Sequence, residues 1–139
     1  MISSLDALRL AADTGVLTLI WLVQLVIYPS LSRYTEGNLK AWHPEYTRRV
    51  TFVILPLMLS QLVLAIYSSI QLGGWLNFVH LLLVIIAWII TFIKAVPMHQ
   101  QLDESENALD VAKRLTQLNL SRTIVWTIAW LISIIAAFT

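Results

Sequence analysis

The side chains of this 139-residue chain that are able to carry chemistry fall near the ends of long apolar runs. Two of them, His43 and His99, are histidines, and a pair of imidazoles brought together can ligate a metal ion or haem iron. The alternative is two interfacial histidines that are hydrogen-bonded to backbone or water. The candidate ligand-binding residues are Tyr28, His43, Tyr46, Arg49, Lys94, His99, Asn119 and Arg122.

Three of these candidates, Arg49, Lys94 and Arg122, are cations on helical stripes that we expect to face the interior. Cations that converge at the edge of an apolar core repel one another unless an anion lies among them. The pattern therefore predicts a site for a carboxylate or phosphate. Two alternatives stay open: an internal salt-bridge network with loop carboxylates, or charges that reach the membrane interface separately.

Two further polar residues, Gln24 and His80, lie inside the apolar runs. Polar side chains in a membrane helix mark functional sites or make hydrogen bonds to another helix. We expect no Asp or Glu in the core of a span, which speaks against a carboxylate proton relay and against cation-coupled transport. The sequence also has no cysteine, no Gly-rich phosphate loop and no Ser-His-Asp signature.

The elements that must position these groups are long apolar helices. The chain is 58% hydrophobic and only 12% charged, whereas a soluble domain is about 25% charged. Runs of roughly 20 apolar residues suffice to cross a bilayer. The sequence predicts an all-α, antiparallel up-down, integral membrane four-helix bundle with spans at about 14–32, 46–71, 75–96 and 120–138. Residues 98–119 are predicted to form a cytoplasmic helical extension that leads into the fourth span, in one helix from about Glu104.

The spacing of polar and small residues predicts one interior stripe for each helix. For the first span it includes Thr14, Thr18, Trp21, Gln24 and Tyr28, and for the second Tyr46, Arg49, Val53, Pro56, Ser60 and Tyr67. The third stripe is Asn77, His80, Val84, Ala87, Thr91, Lys94 and Met98, and the fourth is Leu115, Asn119, Arg122, Trp126, Ala129 and Ser133. We expect a loop over residues 35–44, a kink at Pro56 and the end of the third span at Pro97.

The distribution of Lys and Arg predicts the orientation in a cell membrane. Eight of the nine basic residues fall in the two longer connections, and only Arg9 lies on the opposite side. Both longer connections are therefore expected in the cytoplasm and both termini outside. The expected partners are lipid and a hydrophobic or anionic small molecule, with a homo-oligomer open, and a net charge of +1 gives no argument for nucleic acid.

Several motifs resemble those of a known family. They are Tyr28-Pro29-Ser30-Leu31, His43 with Tyr46 and Arg48-Arg49, Pro56, Val96 to Leu102, and Asn119 to Thr123 with Trp126. The pattern is similar to the anthrone-oxygenase-like family of small four-helix membrane proteins, most of which have no known function. This resemblance implies a cofactor-independent oxidation of an aromatic compound.

A weaker resemblance is to the small bacterial membrane protoporphyrinogen oxidases, which are thought to bind haem. It lies in Tyr28-Pro29-Ser30-Leu31, Arg48-Arg49 and Gly74-Trp75-Leu76. Three hypotheses follow: an oxidase or oxygenase of a hydrophobic aromatic molecule, a haem- or ligand-binding membrane protein, and an accessory subunit without catalysis. The expected cofactor is accordingly none or haem.

Overall fold

The computed structural model describes residues 2–139 as four long helices, with no strand in that range. They are α1 (Ser4–Leu31), α2 (Glu36–Gln71), α3 (Trp75–Glu104) and α4 (Ala108–Phe138). Each is long and apolar enough to cross a membrane. Many large apolar side chains on their outer faces are exposed, including Phe52 at 78%. Such a surface suits lipid rather than water.

Short polar connections separate the helices. Thr35 caps α2 by accepting a hydrogen bond from the backbone N–H of Asn38. Between α2 and α3, Gly73 and Gly74 adopt positive φ angles of 63° and 76°, which glycine adopts without strain. The predicted loop over residues 35–44 is wrong, because α2 already begins at Glu36 and continues through Pro44.

The helix leading into the fourth span also begins later than predicted. It starts at Ala108 rather than at Glu104, after a break that includes Ser105 and Asn107. The backbone N–H of Leu109 in its first turn donates to both carboxylate oxygens of Glu36, at 3.3 and 3.4 Å. An anion at a helix N-terminus compensates its unpaired N–H groups and its dipole. Glu36 therefore fixes where α4 begins.

Two of the helices contain a π-helical turn just before a proline. In α1 the turn is Val23–Ile27 and precedes Pro29, and in α3 it is Thr91–Ala95 and precedes Pro97. A proline lacks an N–H and clashes with the carbonyl four residues earlier, and a wider turn relieves that conflict. As a result α3 does not end at Pro97, as predicted, but continues to Glu104.

The buried faces agree with the predicted stripes for α4 and for the first part of α3. All six predicted α4 positions are buried, as are the α3 positions from Asn77 to Thr91. Beyond Thr91 the π-turn adds one residue to the repeat, so Ala95 is buried and Lys94 is exposed. The wide turn thus explains why the predicted stripe is wrong at Lys94.

The predicted interior stripes of α1 and α2 are largely wrong. In α1 the buried residues include Arg9, Asp13, Val16 and Ile20, whereas Thr14, Thr18 and Trp21 are exposed. In α2 they are Leu39, His43, Tyr46, Met58, Gln61, Ala65, Ser68 and Ser69, whereas Arg49, Val53, Pro56, Ser60 and Tyr67 are exposed. For these two helices the prediction assumed that Thr, Trp and Pro face the interior. In the structure Thr14, Thr18, Trp21 and Pro56 are exposed.

Candidate functional site

A chain of hydrogen bonds joins four side chains from three helices. The Nδ1 atom of His43 lies 2.6 Å from a carboxylate oxygen of Asp103, and its Nε2 lies 3.0 Å from Nδ1 of His99. The Nε2 atom of His99 lies 2.9 Å from the hydroxyl of Tyr28. We call these four residues the relay. It leads from the buried Tyr28 to Asp103, whose side chain is 31% exposed.

One assignment of protons satisfies every link of the relay with neutral histidines. A carboxylate only accepts, so His43 donates to Asp103 from Nδ1 and accepts at Nε2. His99 then donates from Nδ1 to His43 and accepts at Nε2 from the Tyr28 hydroxyl. Every hydrogen bond of the relay thus has its donor on the Tyr28 side and its acceptor on the Asp103 side. A concerted shift would therefore carry one proton from Tyr28 to Asp103.

The π-turns of α1 and α3 place the inner half of the relay. Tyr28 is the first residue after the π-turn of α1, and its ring meets the His99 ring edge to face at 5.8 Å. His99 follows the π-turn of α3 by one helical turn. π-Helical turns occur frequently at functional sites. Here they help to set the rotation of Tyr28 and His99 toward each other.

A buried cation, Arg122, lies beside the inner end of the relay. Its guanidinium lines the same cavity as Tyr28, donates to the Asn119 side-chain oxygen at 3.0 Å and lies 5.2 Å from the centre of the Trp126 ring. Asn119 in turn donates to Gln24 at 2.9 Å. Within residues 2–139 no carboxylate lies within salt-bridge distance of Arg122, although only 4% of that residue is exposed. A buried charge without a counter-charge is costly, and an anionic ligand would remove that cost.

A cavity of about 180 Å³ lies where the relay and Arg122 meet. Polar groups at its wall are Tyr28, Tyr46, His99 and Arg122. The remaining lining is mostly apolar or presents threonine, and it comes from α1, α2 and α3: Ile20, Val23, Thr47, Val50, Thr51, Ile54, Leu55, Met58, Thr91, Phe92, Ala95 and Val96. An apolar cavity with a few convergent polar groups is the usual form of a small-molecule site.

A second depression of about 430 Å³ adjoins this cavity on the outer side of α2. The two share Thr47, Thr51 and Leu55 as lining residues, and Arg48 and Asp103 also line the outer depression. The hydroxyls of Thr47 and Thr51 bond to carbonyls of their own helix. The cavity and the outer depression are therefore neighbours along α2.

The structure brings together most of the predicted ligand-binding residues but not all of them. Tyr28, His43, Tyr46, His99, Asn119 and Arg122 meet at one end of the four helices, together with Gln24. Arg49 and Lys94 do not join them. The Arg49 side chain is 75% exposed and pairs with Glu45, and Lys94 is exposed. The predicted convergence of three cations is therefore wrong, and Arg122 alone is buried.

The arrangement of the two histidines does not fit haem iron or another metal ion. Both ring nitrogens of His43 and of His99 already lie within hydrogen-bonding distance of protein groups. The rings stack at 5.1 Å, with a direct contact between nitrogens. Iron ligation needs an imidazole nitrogen that is free to point at the metal.

Sequence reasoning missed two features. The first is the role of Asp103 as the outer end of the relay. Asp103 lies four residues after His99, a spacing that places both on one helical face. It also missed a buried cluster at the other end of the helices, which contains Asp13 and His80. The expectation of no Asp or Glu in the core of a span did not anticipate that Asp13, within α1, is buried at 1% exposure. The spacing of Asp6, Arg9 and Asp13 by three and four residues was the available signal.

No protein-family model matches this chain, and no curated protein or solved structure shows significant similarity to it. The geometry of the cavity, the relay and Arg122 therefore stands as the basis for a proposal about function.

Proposed function

We propose that this is a membrane protein that binds a hydrophobic aromatic molecule in the cavity beside Arg122 and removes a proton from it through the relay. The observation that supports this proposal best is the buried Arg122, which lines an apolar cavity and has no carboxylate partner among residues 2–139. A phenolate or enolate formed from the substrate would supply the missing negative charge. The mostly apolar lining of the cavity supports a hydrophobic ligand.

The chemistry of the relay follows from its direction. The substrate gives its proton to the Tyr28 oxygen as the phenol proton moves to Nε2 of His99. The Nδ1 proton of His99 moves to His43, and the Nδ1 proton of His43 moves to Asp103. In sum the substrate becomes an anion and the Asp103 carboxylate becomes a carboxylic acid. Because Asp103 is partly exposed, it can then return the proton to water.

The anion is the species that would react onward. An anthrone-type carbanion is electron-rich and transfers electrons to molecular oxygen, and the resulting peroxide loses water to give a quinone. The balance is one anthrone and one O₂ giving one anthraquinone and one water. In this scheme the protein supplies the base, the cationic group that stabilises the anion, and a cavity that limits access of water. The scheme agrees with the oxidation implied by the family resemblance.

The setting that we propose is an antiparallel up-down bundle in the cell membrane. The cross-helix hydrogen bonds support it, since Arg9 and Gln24 of α1 contact Ser133 and Asn119 of α4 in reverse order. The distribution of the basic residues supports an orientation with the relay end in the cytoplasm and both termini outside. A cysteine introduced at Ser105 should therefore react with a membrane-impermeant reagent only from the cytoplasmic side. Labelling from outside would overturn this orientation.

The proposed activity can be tested with anthrone and purified protein in lipid nanodiscs. We expect oxygen consumption that matches anthraquinone formation one to one, above a protein-free control. Arg122→Gln should lower the rate by about 10²-fold or more, because it removes the group that stabilises the anion. His99→Asn should lower the rate by about 10²-fold, because it interrupts the relay.

Arg49→Gln and Tyr34→Phe are the matched controls, since both alter exposed side chains near the same end without lining the cavity. They should keep the wild-type rate. Turnover equal in Arg122→Gln and Arg49→Gln would overturn the proposed role of Arg122. Anthrone binding without any turnover by the wild-type protein would identify a binding protein instead of an enzyme.

A further inference from the structure

A second group of buried polar side chains lies at the Gly73–Gly74 end of the helices. Arg9 is fully buried and contacts Asp6 at 3.0 Å, the backbone carbonyl of Ser133 at 3.2 Å and the side-chain oxygen of Asn77. These partners come from α1, α3 and α4. The terminal nitrogens of Arg9 therefore have polar partners on three helices, and the site described above does not use this residue.

Asp13 lies two helical turns from Asp6 on the same side of α1. Its two carboxylate oxygens are 3.1 and 3.2 Å from Nε2 of His80, and one of them accepts a hydrogen bond from Gln61 at 2.8 Å. The side chains of Asp13 and His80 are both 0% exposed. We call Asp6, Arg9, Asp13, Gln61, Asn77 and His80 the Asp13 cluster.

The charges in this cluster do not balance unless a proton is added. Asp6 and Asp13 contribute two negative charges, whereas Arg9 contributes one positive charge. The groups that contact the cluster from α2 and α4 are neutral: Gln61 contacts Asp13, and the Ser133 carbonyl contacts Arg9. An uncompensated charge in a buried site is costly, and protonation of His80 removes it.

We propose that Asp13 and His80 form a buried proton-binding site in which His80 is held as an imidazolium against the Asp13 carboxylate. The second ring nitrogen of His80, Nδ1, is buried and has no hydrogen-bond partner in the part of the chain that the structure describes. It is the nitrogen at which this proton is gained or lost. Buried polar atoms without a protein partner usually contact an ordered water, which can deliver the proton.

The surroundings of Asp13 favour a proton over a metal cation. Gln61 directs its NH₂ group, and His80 a ring nitrogen, at the carboxylate. A sodium or calcium site would instead present several oxygen ligands. Solvent can approach this end through an open depression of about 770 Å³, lined by Asp6 and Asn77, the residues that hold Arg9.

The proton site is separate from the relay. Gln61 accepts a hydrogen bond from the indole N–H of Trp126 at 2.9 Å, and Trp126 packs against Arg122. An indole donates a hydrogen bond but has no lone pair with which to accept a proton. Trp126 therefore interrupts proton transfer between Asp13 and the relay, and the site binds its proton whether or not the proposed oxidation takes place.

The site can be tested by nitrogen NMR of the full chain with ¹⁵N-labelled histidine in lipid nanodiscs, using His80→Asn to assign the His80 signals. At pH 7 both ring nitrogens of His80 should be protonated. Asp13→Asn should raise the ratio of neutral to protonated His80 about tenfold or more, because it removes the charge at contact distance. Asp13→Glu retains the charge and should retain the imidazolium.

Asp103→Asn is the matched control, since it removes a carboxylate from His43 at the other end and should leave His80 protonated. A neutral His80 in the wild-type spectrum at pH 7 would overturn the proposal even if Asp13→Asn fails to fold. So would a His80 signal that Asp13→Asn leaves unchanged. A shift of the His80 signals on addition of sodium chloride, but not of choline chloride, would identify a cation site instead.

Discussion

Two arginines are buried inside the four helices, and their surroundings differ. Arg9 is paired with Asp6 and also bonds to Asn77 and to a backbone carbonyl. Arg122 has no carboxylate partner among residues 2–139 and instead borders a cavity. The same residue type thus completes a structural network at one end and leaves a charge available for a ligand at the other. Burial alone would not distinguish these two roles.

The largest expected effect is on the free energy of unfolding, which should differ between variants of the two buried arginines. Arg9→Leu should lower the free energy of unfolding by about 3 kcal/mol, because it removes the cation that pairs with Asp6 and the donor to the Asn77 side chain and the Ser133 carbonyl. Arg122→Leu should change that free energy by less than about 1 kcal/mol, because it removes a buried charge that lacks a counter-charge. Reversible unfolding in mixed detergent micelles measures both. Equal losses in the two variants would contradict the comparison.

An intermediate effect is expected where the two ends meet. The hydrogen bond from Trp126 to Gln61 should contribute about 1 kcal/mol, as a neutral buried bond does. A double-mutant cycle with Trp126→Phe and Gln61→Met isolates this coupling, since Phe keeps an aromatic ring beside Arg122. A coupling near zero would mean that the two ends are energetically independent.

The smallest effect is expected for Arg49, an exposed arginine of α2. Arg49 pairs with Glu45 at 2.5 Å, but the two side chains are 75% and 47% exposed. Solvent screens such a pair, so Arg49→Gln should change the free energy of unfolding by less than about 0.5 kcal/mol. The same unfolding measurement applies, with Arg114→Gln as a second exposed i,i+4 pair. A loss of stability in Arg49→Gln comparable to that in Arg9→Leu would contradict the expectation that exposed arginines contribute less to stability than the paired, buried Arg9.

Part of the candidate site could be predicted from the regular periodicity of α4. Asn119 and Arg122 were expected inside and are buried there. Lys94 could not be placed in the same way, because the π-turn before Pro97 changes the repeat by one residue. For Arg49 the error came from treating Pro56 and Ser60 as interior residues, which rotated the predicted face of α2.

The Asp13 cluster could not be predicted from single positions. Asp13 lies just before the first predicted span at about residues 14–32, a position where a carboxylate usually meets water. In the structure α1 already begins at Ser4, so Asp13 lies deep enough to reach Gln61 and His80 on two other helices. A carboxylate is stable at such a depth only when donors from several helices converge on it.

The sequence by itself determined that the chain forms four helices long and apolar enough to cross a membrane, because length and hydropathy are properties of each segment alone. It also determined that polar groups gather near the helix ends. Only the tertiary structure decided which of those groups meet. The contact of His43 with His99, the pairing of Asp13 with His80 and the unpaired charge of Arg122 depend on helix rotation, which π-turns and packing set and which hydrophobic periodicity alone does not fix.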